Sequence, residues 1–318
     1  MKSARNPNLG WLLTVCSSLL FGLNASTTKV LVHAGFTPNF IVGYRSTATA
    51  VLALALVLIW KPSLLKITWR ELPALIAFGI LGISLMQWTY TNAVSRLPVG
   101  ISLLIEYLAS VGVPVLNWLL FRKRAGKAIW LGISLAMSGV LIVSQFWNAV
   151  LDPVGLAYAF GAMACVMFYL ITSERIQNHR DSYSMLFYTM LASAVFWWVF
   201  VRPDVASQPN LAVSLNLSGN LGAVTVPMWV GLAWIGVFGS FVPMLLNYLA
   251  LSNLGSTGVG LASISEVVFA FIFGWLWLAE TISGIQLAGA VLVTSGIVIA
   301  QISGTNLFRR KAIKESNE

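Results

Sequence analysis

Ten apolar runs of membrane-spanning length, joined by short linkers, leave this chain few possible architectures. They cover residues 9–32, 39–60, 72–94, 98–120, 127–147, 153–173, 184–201, 228–251, 256–278 and 283–302. A helix needs about 20 residues to cross a bilayer. Within lipid no water satisfies backbone N–H and C=O groups, so only helices or closed barrels persist there, and runs this long are helical. Charged residues make up 9% of the 318 and hydrophobic residues 58%. A soluble domain carries about 25% charged residues, so this chain lacks the polar side chains to cover a water-facing surface. The expected fold class is an all-α integral membrane protein with ten transmembrane helices. Most linkers, such as 95–97 and 279–282, are short enough to force antiparallel neighbours. The exception is 202–227, rich in Ser, Asn and Pro, which reads as a mobile outer loop, or as one with a short surface helix.

The net charge of +9 does not indicate nucleic acid, because the cations sit in loops between apolar runs. One membrane face receives Lys2, Arg5, Lys61, Lys66, Arg70, Arg122, Lys123, Arg124, Lys127, Arg175, Arg180, Arg309, Arg310, Lys311 and Lys314; the other receives Arg96 and Arg202. The positive-inside rule makes the first face cytoplasmic and, with an even span count, puts both termini there. The localisation expected is the inner (plasma) membrane, multi-pass. The first run is too long for a signal peptide and reads as a retained helix. Cys16 and Cys165 lie within apolar runs, and no disulfide framework or metal motif is visible. No cofactor is expected. His33 and His179 stand far apart and no paired acidic motif exists, so an enzyme is not expected.

The chain is also written twice. Gly79-Ile80-Leu81-Gly82 matches Gly236-Val237-Phe238-Gly239, and Ala93-Val94-Ser95-Arg96-Leu97 matches Ala250-Leu251-Ser252-Asn253-Leu254, both at an offset of 157. Gly132 and Gly139 match Gly289 and Gly296 at the same offset. Glu106 and Glu266 stand in matching runs at an offset of 160, as though a three-residue gap opened and closed between them. The boundary falls near Asp152-Pro153, giving halves 1–152 and 153–318, the second with a basic tail from about 304. Five helices per half is an odd number, so the second copy enters from the opposite face. The repeats are inverted, five plus five, as in many secondary transporters.

Several motifs carry a family resemblance. Ser265-Glu266-Val267-Val268-Phe269-Ala270, followed by Gly274-Trp275-Leu276-Trp277-Leu278-Ala279-Glu280-Thr281, resembles the second half of EamA-type members of the drug/metabolite transporter superfamily. That family has Glu-Pro-x-Phe-Ala and then a Gly-Glu pair; here Val267 stands for the Pro and Ala279 for the Gly. Tyr44-Arg45 resembles the family's Arg near the start of helix 2, and Glu106-Tyr107 resembles the helix 4 carboxylate of its amino-acid exporters. The resemblance covers about residues 8–303. It implies secondary transport by alternating access, with substrates ranging over amino acids, sugars, nucleobases, cofactors and drugs. An exporter of amino acids or related compounds is the leading expectation. Drug or nucleobase transport on the same fold stays open, as does a channel or lipid flippase. Partners would be a small-molecule substrate, membrane lipids and protons; the oligomeric state is unknown.

Polar residues at membrane depth are the candidate site, because each is costly there. Ser102, Glu106, Ser110 and Asn117 form one stripe on a helix that Pro114 interrupts. Glu106 reads as substrate or proton binding, or alternatively as a fold-stabilising contact. Glu266 reads as coupling, or as a brace between the halves. Lys29 either reaches the outer interface or gates; Arg45 either bonds helix-end carbonyls or closes an outer gate on a carboxylate. Pro114 is a further gating candidate. Asn24, Gln87, Trp88, Tyr90, Tyr169, Asn247 and Tyr248 outline a central substrate chamber. Trp11, Trp60 and Trp229 read as interfacial anchors.

Overall fold

The computed structural model describes residues 6–109, 112, 127–144, 151–177 and 180–315. In chain order the helices are α1 (Pro7–His33), α2 (Pro38–Trp60), α3 (Leu72–Val94), α4 (Val99–Tyr107), α5 (Lys127–Ser144), α6 (Pro153–Gln177) and α7 (Ser182–Val201). After a two-stranded hairpin come α8 (Met228–Leu254), α9 (Gly258–Leu276) and α10 (Gly284–Glu315). Among the described residues seven of these (α1, α2, α3, α6, α7, α8 and α9) are long and apolar enough to cross a membrane. Within α8 and α9, helical hydrogen bonding extends over Val242–Ser263 and Ser265–Leu276. The last helix runs to Glu315, beyond the end expected at 302. Ser110, Pro114 and Asn117 lie outside the described residues. The regular helix of α4 ends at Tyr107, and the Leu108 N–H turns back to the Ile105 carbonyl at 3.1 Å.

Helix starts follow from caps in the sequence. The Asn6 side chain accepts from the Leu9 N–H at 3.2 Å and Pro7 fills the first helical position; Thr37 and Pro38 do the same for α2. Asp181 caps α7 by accepting from Tyr183 and Ser184 at 3.0 and 2.9 Å. Large apolar side chains are left on the outside of the bundle, with Ile59 86% and Trp60 75% exposed, as a lipid-facing surface requires.

The repeated glycines set the helix contacts. A Cβ on Gly139 would lie 2.7 Å from the Gly289 carbonyl oxygen, and one on Gly296 2.5 Å from that of Gly132. The pairing of α5 with α10 is therefore reciprocal: each copy's glycine meets the other copy's partner. The same reciprocity places Gly79 of α3 on Thr189 of α7, and Gly236 of α8 on Ala48 of α2. Both sites sit at π-helical turns, Phe78–Ser84 and Val237–Phe241. Gly10 packs on Leu254 while Gly155 packs on Leu97; Gly22 packs on Phe269 while Gly112 packs on Met167. The contacts of α1 also show that the chain reverses between Leu254 and Phe269.

The stretch 202–227 departs from the expected all-α pattern, and it also holds one short helical turn, Gly219–Leu221. It carries a hairpin of β1 (Ser214–Asn216) and β2 (Thr225–Pro227), with Leu215 opposite Val226. Leu215 is buried on a cluster that includes Leu31, Leu232 and Ile235. The Trp277 indole donates to the Leu217 carbonyl at 2.8 Å, and the Trp277 carbonyl accepts from Asn220 at 2.8 Å.

Candidate functional site

Helices α1, α2, α3, α4, α6, α8 and α9 surround a cavity of about 180 Å³. Of the residues expected to bind substrate, Asn24, Gln87, Tyr90, Glu106, Tyr169, Asn247 and Tyr248 line it, and so do Arg45 and Glu266, expected in coupling or gating. Its apolar wall is built from Phe21, Met86, Leu103, Val166, Leu170, Met244 and Val259. From this group the lining extends to Ser173, Leu251 and Gly260, near the α6 end and the α8–α9 reversal.

Glu106 stands on the last turn of α4, and one carboxylate oxygen, Oε2, is buried without a partner among the described residues. Glu266 stands in the first turn of Ser265–Leu276, where a helix N-terminus favours negative charge. Its Oε2 accepts from the Tyr107 hydroxyl at 2.7 Å, a bond that joins α4 to α9 and so the two halves of the chain. Gln87 Oε1 and the Tyr90 hydroxyl are also buried without partners. Buried polar atoms are almost always hydrogen-bonded, so these three atoms can bond a polar molecule that enters the cavity.

Arg45 has a physical reason to sit where it does. Pro243 has no N–H to give to the residue four before it, which leaves the Gly239 carbonyl free inside the bundle. Arg45 Nη2 donates to that oxygen at 3.0 Å, and Nε donates to Ser240 Oγ at 2.5 Å. The bond to a helix carbonyl expected of Arg45 is therefore present; among the described residues it pairs with no carboxylate.

Trp88 and Lys29 are not among the residues that line the cavity. The Trp88 indole donates to Asn39 Oδ1 at 2.7 Å and its ring packs edge-on against Tyr158, away from the cavity. Lys29 does not extend freely to an interface. Its Nζ lies 2.6 Å from Glu280 Oε1 and 3.0 Å from the Leu97 carbonyl. Glu280, not singled out as a site residue from sequence, also accepts from the Val99 N–H at the start of α4 at 3.0 Å. This node ties α1, the start of α4 and the segment after α9 together at the Leu97 end of the bundle. Nearby on the surface Arg96 bonds Asp152 at 3.1 Å and holds that carboxyl below its ordinary range.

Apolar helices of membrane-spanning length around a cavity into which polar side chains, two carboxyl groups among them, are set describe a multi-pass membrane protein of the transporter class. The chain belongs to the EamA-like transporter family, whose model matches residues 8–145 and again 153–301. It is 22% identical over 289 residues to an uncharacterized transporter of Archaeoglobus fulgidus, covering 91% of this chain and 97% of that one. It is 25% identical over 307 residues to the threonine/homoserine exporter RhtA of Salmonella typhimurium, covering 94% and 92%. A solved crystal structure at 16% identity shares the fold with a TM-score of 0.61, over 94% of this chain and 98% of that one.

Proposed function

We propose that this protein is a secondary active exporter of amino acids or related small metabolites, working by alternating access around the central cavity. The observation that carries this reading is Glu106, with Oε2 unpartnered, in a cavity also lined by Asn24, Gln87, Tyr90 and Asn247. These groups bind a small polar molecule and, being mostly neutral amides and phenols, release it again. The similarity to a threonine/homoserine exporter supports the substrate class.

In this reading ten helices cross the inner membrane as two inverted repeats of five, 1–152 and 153–318, with both termini cytoplasmic. The reciprocal glycine contacts of α5 with α10 and of α3 and α8 with their partners support a two-fold relation between halves. The loop charges support the orientation. The Lys29–Glu280 node then lies at the outer face, and the cavity reaches toward the cytoplasmic ends of α6 and α8. The state is closed outside, and Glu106 takes up a proton or the substrate ammonium in turn. Lys29 acts in gating together with Glu280, while Glu266 and Tyr107 couple the halves.

The test is flux. Purified protein in liposomes should exchange radiolabelled L-threonine or L-homoserine against an internal pool, faster with an imposed pH gradient. Absence of exchange for these and for a panel of other amino acids would remove the reading.

A further inference from the structure

Arg45 is 3% exposed in the interior of the bundle and lines the cavity. Two of its guanidinium nitrogens are held by neutral acceptors, Ser240 Oγ and the Gly239 carbonyl. The third, Nη1, is buried with no partner among the described residues. Lys29, the other cation within an apolar run, has Glu280 as its counter-ion. Arg45 has none among the described residues. A buried cation without a counter-ion is among the costlier arrangements a protein keeps. A guanidinium is also a planar fork matched to a carboxylate rather than to a hydroxyl or a single carbonyl.

The opposite charge lies in the same cavity. Glu106 Oε2 is an unpartnered acceptor, and Glu266 stands near it on α9. Tyr90 lines the same cavity, and its own hydroxyl is unpartnered among the described residues. The chain therefore keeps a positive and a negative group around one small volume without pairing them to each other. A ligand with only a positive charge would leave Arg45 uncompensated. A ligand with only a negative charge would face the two carboxylates.

We propose that Arg45 is the carboxylate subsite of the cavity. The carboxylate of a zwitterionic substrate docks on Nη1, and its ammonium faces Glu106. Ser240 and the carbonyl freed by Pro243 hold the guanidinium in place, which makes them positioning groups. This rests on the amino-acid reading above and adds the residue that selects for a free carboxylate.

The experiment compares acids with their amides. Binding of L-threonine, L-homoserine and L-phenylalanine, and of the three corresponding amides, is measured calorimetrically on purified wild type and on Arg45→Gln. The amide keeps the ammonium and the side chain and lacks only the anion. Wild type should bind at least one acid about tenfold or more tighter than its amide, the scale of one charge-assisted contact. Arg45→Gln should bring the acid down to the level of the amide and leave amide binding within about threefold. Equal binding of acid and amide by wild type overturns the subsite and leaves the amino-acid reading standing; so does a preference that survives in Arg45→Gln. If no acid binds, both fall. Should Arg45→Gln fail to fold, the wild-type ratio of acid to amide decides alone.

Discussion

Lys29 Nζ lies 2.6 Å from Glu280 Oε1, and the other oxygen of that carboxylate accepts from the Val99 N–H at 3.0 Å. One side chain thus ties α1, the start of α4 and the end of α9 together. Both partners are mostly buried, with side-chain exposures of 14% and 12%. Removing one partner of a buried pair costs about 3–5 kcal/mol, because the remaining charge is stranded; with this residual exposure about 1–3 kcal/mol is expected. Glu280→Gln should lower the unfolding temperature and speed maleimide labelling of Leu97→Cys. Lys29→Met in the same chain should restore part of the stability, with a coupling of about 0.5–3 kcal/mol. Additive losses in the double variant would show that the pair does not act as a unit.

Ala279 has a φ of 55°, left-handed backbone that costs an L residue about 1–2 kcal/mol. The turn is needed because the Leu278 and Glu280 N–H groups both reach back to the Gly274 carbonyl, at 3.1 and 3.0 Å, ending α9 and delivering Glu280 to Lys29. Ala279→Gly relieves the strain but gives the unfolded chain more freedom, leaving a gain of about 0.5–1 kcal/mol. The unfolding temperature should rise by about 1–3 °C. A fall would mean that the left-handed turn is not what Ala279 adopts.

Gly139 and Gly289 bring the α5 and α10 backbones into contact, each hypothetical Cβ lying 2.7 and 2.9 Å from the other's carbonyl oxygen. Backbone cannot yield as a side chain can. Gly139→Val and Gly289→Val should each destabilise by about 1–3 kcal/mol, and the two losses should be less than additive, since one separation of the helices relieves both. Full additivity, read from thermal unfolding of the three variants, would contradict the reciprocal packing.

Tyr107 donates to Glu266 at 2.7 Å across the two halves. Tyr107→Phe keeps the ring and leaves the carboxylate short of its donor, at a cost of about 1–3 kcal/mol. A stability equal to wild type would remove the brace.

Much of this architecture was legible in the sequence. Apolar runs gave α1, α2 and α3 within two residues at each end, because lipid leaves the backbone no alternative. Asn24, Arg45, Gln87 and Glu106 were legible as polar residues where polarity is expensive. Glu280 was visible in the pair Ala279-Glu280 that resembles the family's Gly-Glu pair, yet it follows the end of its run, and nothing in the sequence places it opposite Lys29. Trp88 misled because nothing in the sequence places Asn39 opposite its indole N–H. The hairpin escaped because three-residue strands with one buried apolar residue, Leu215, carry no readable alternation. Pro243 did hold a usable signal, four residues after the Gly239 carbonyl that it frees for Arg45.

The central claim is that the cavity around Glu106 is the route of the substrate. The direct measurement is exchange of labelled L-threonine and L-homoserine in liposomes by wild type and Glu106→Gln, reconstituted to equal density and matched for unfolding temperature. Wild type should exchange at least one of them, and Glu106→Gln should lose about tenfold or more of that rate along with its response to a pH gradient. An exchange rate and pH response in Glu106→Gln equal to wild type would contradict the account.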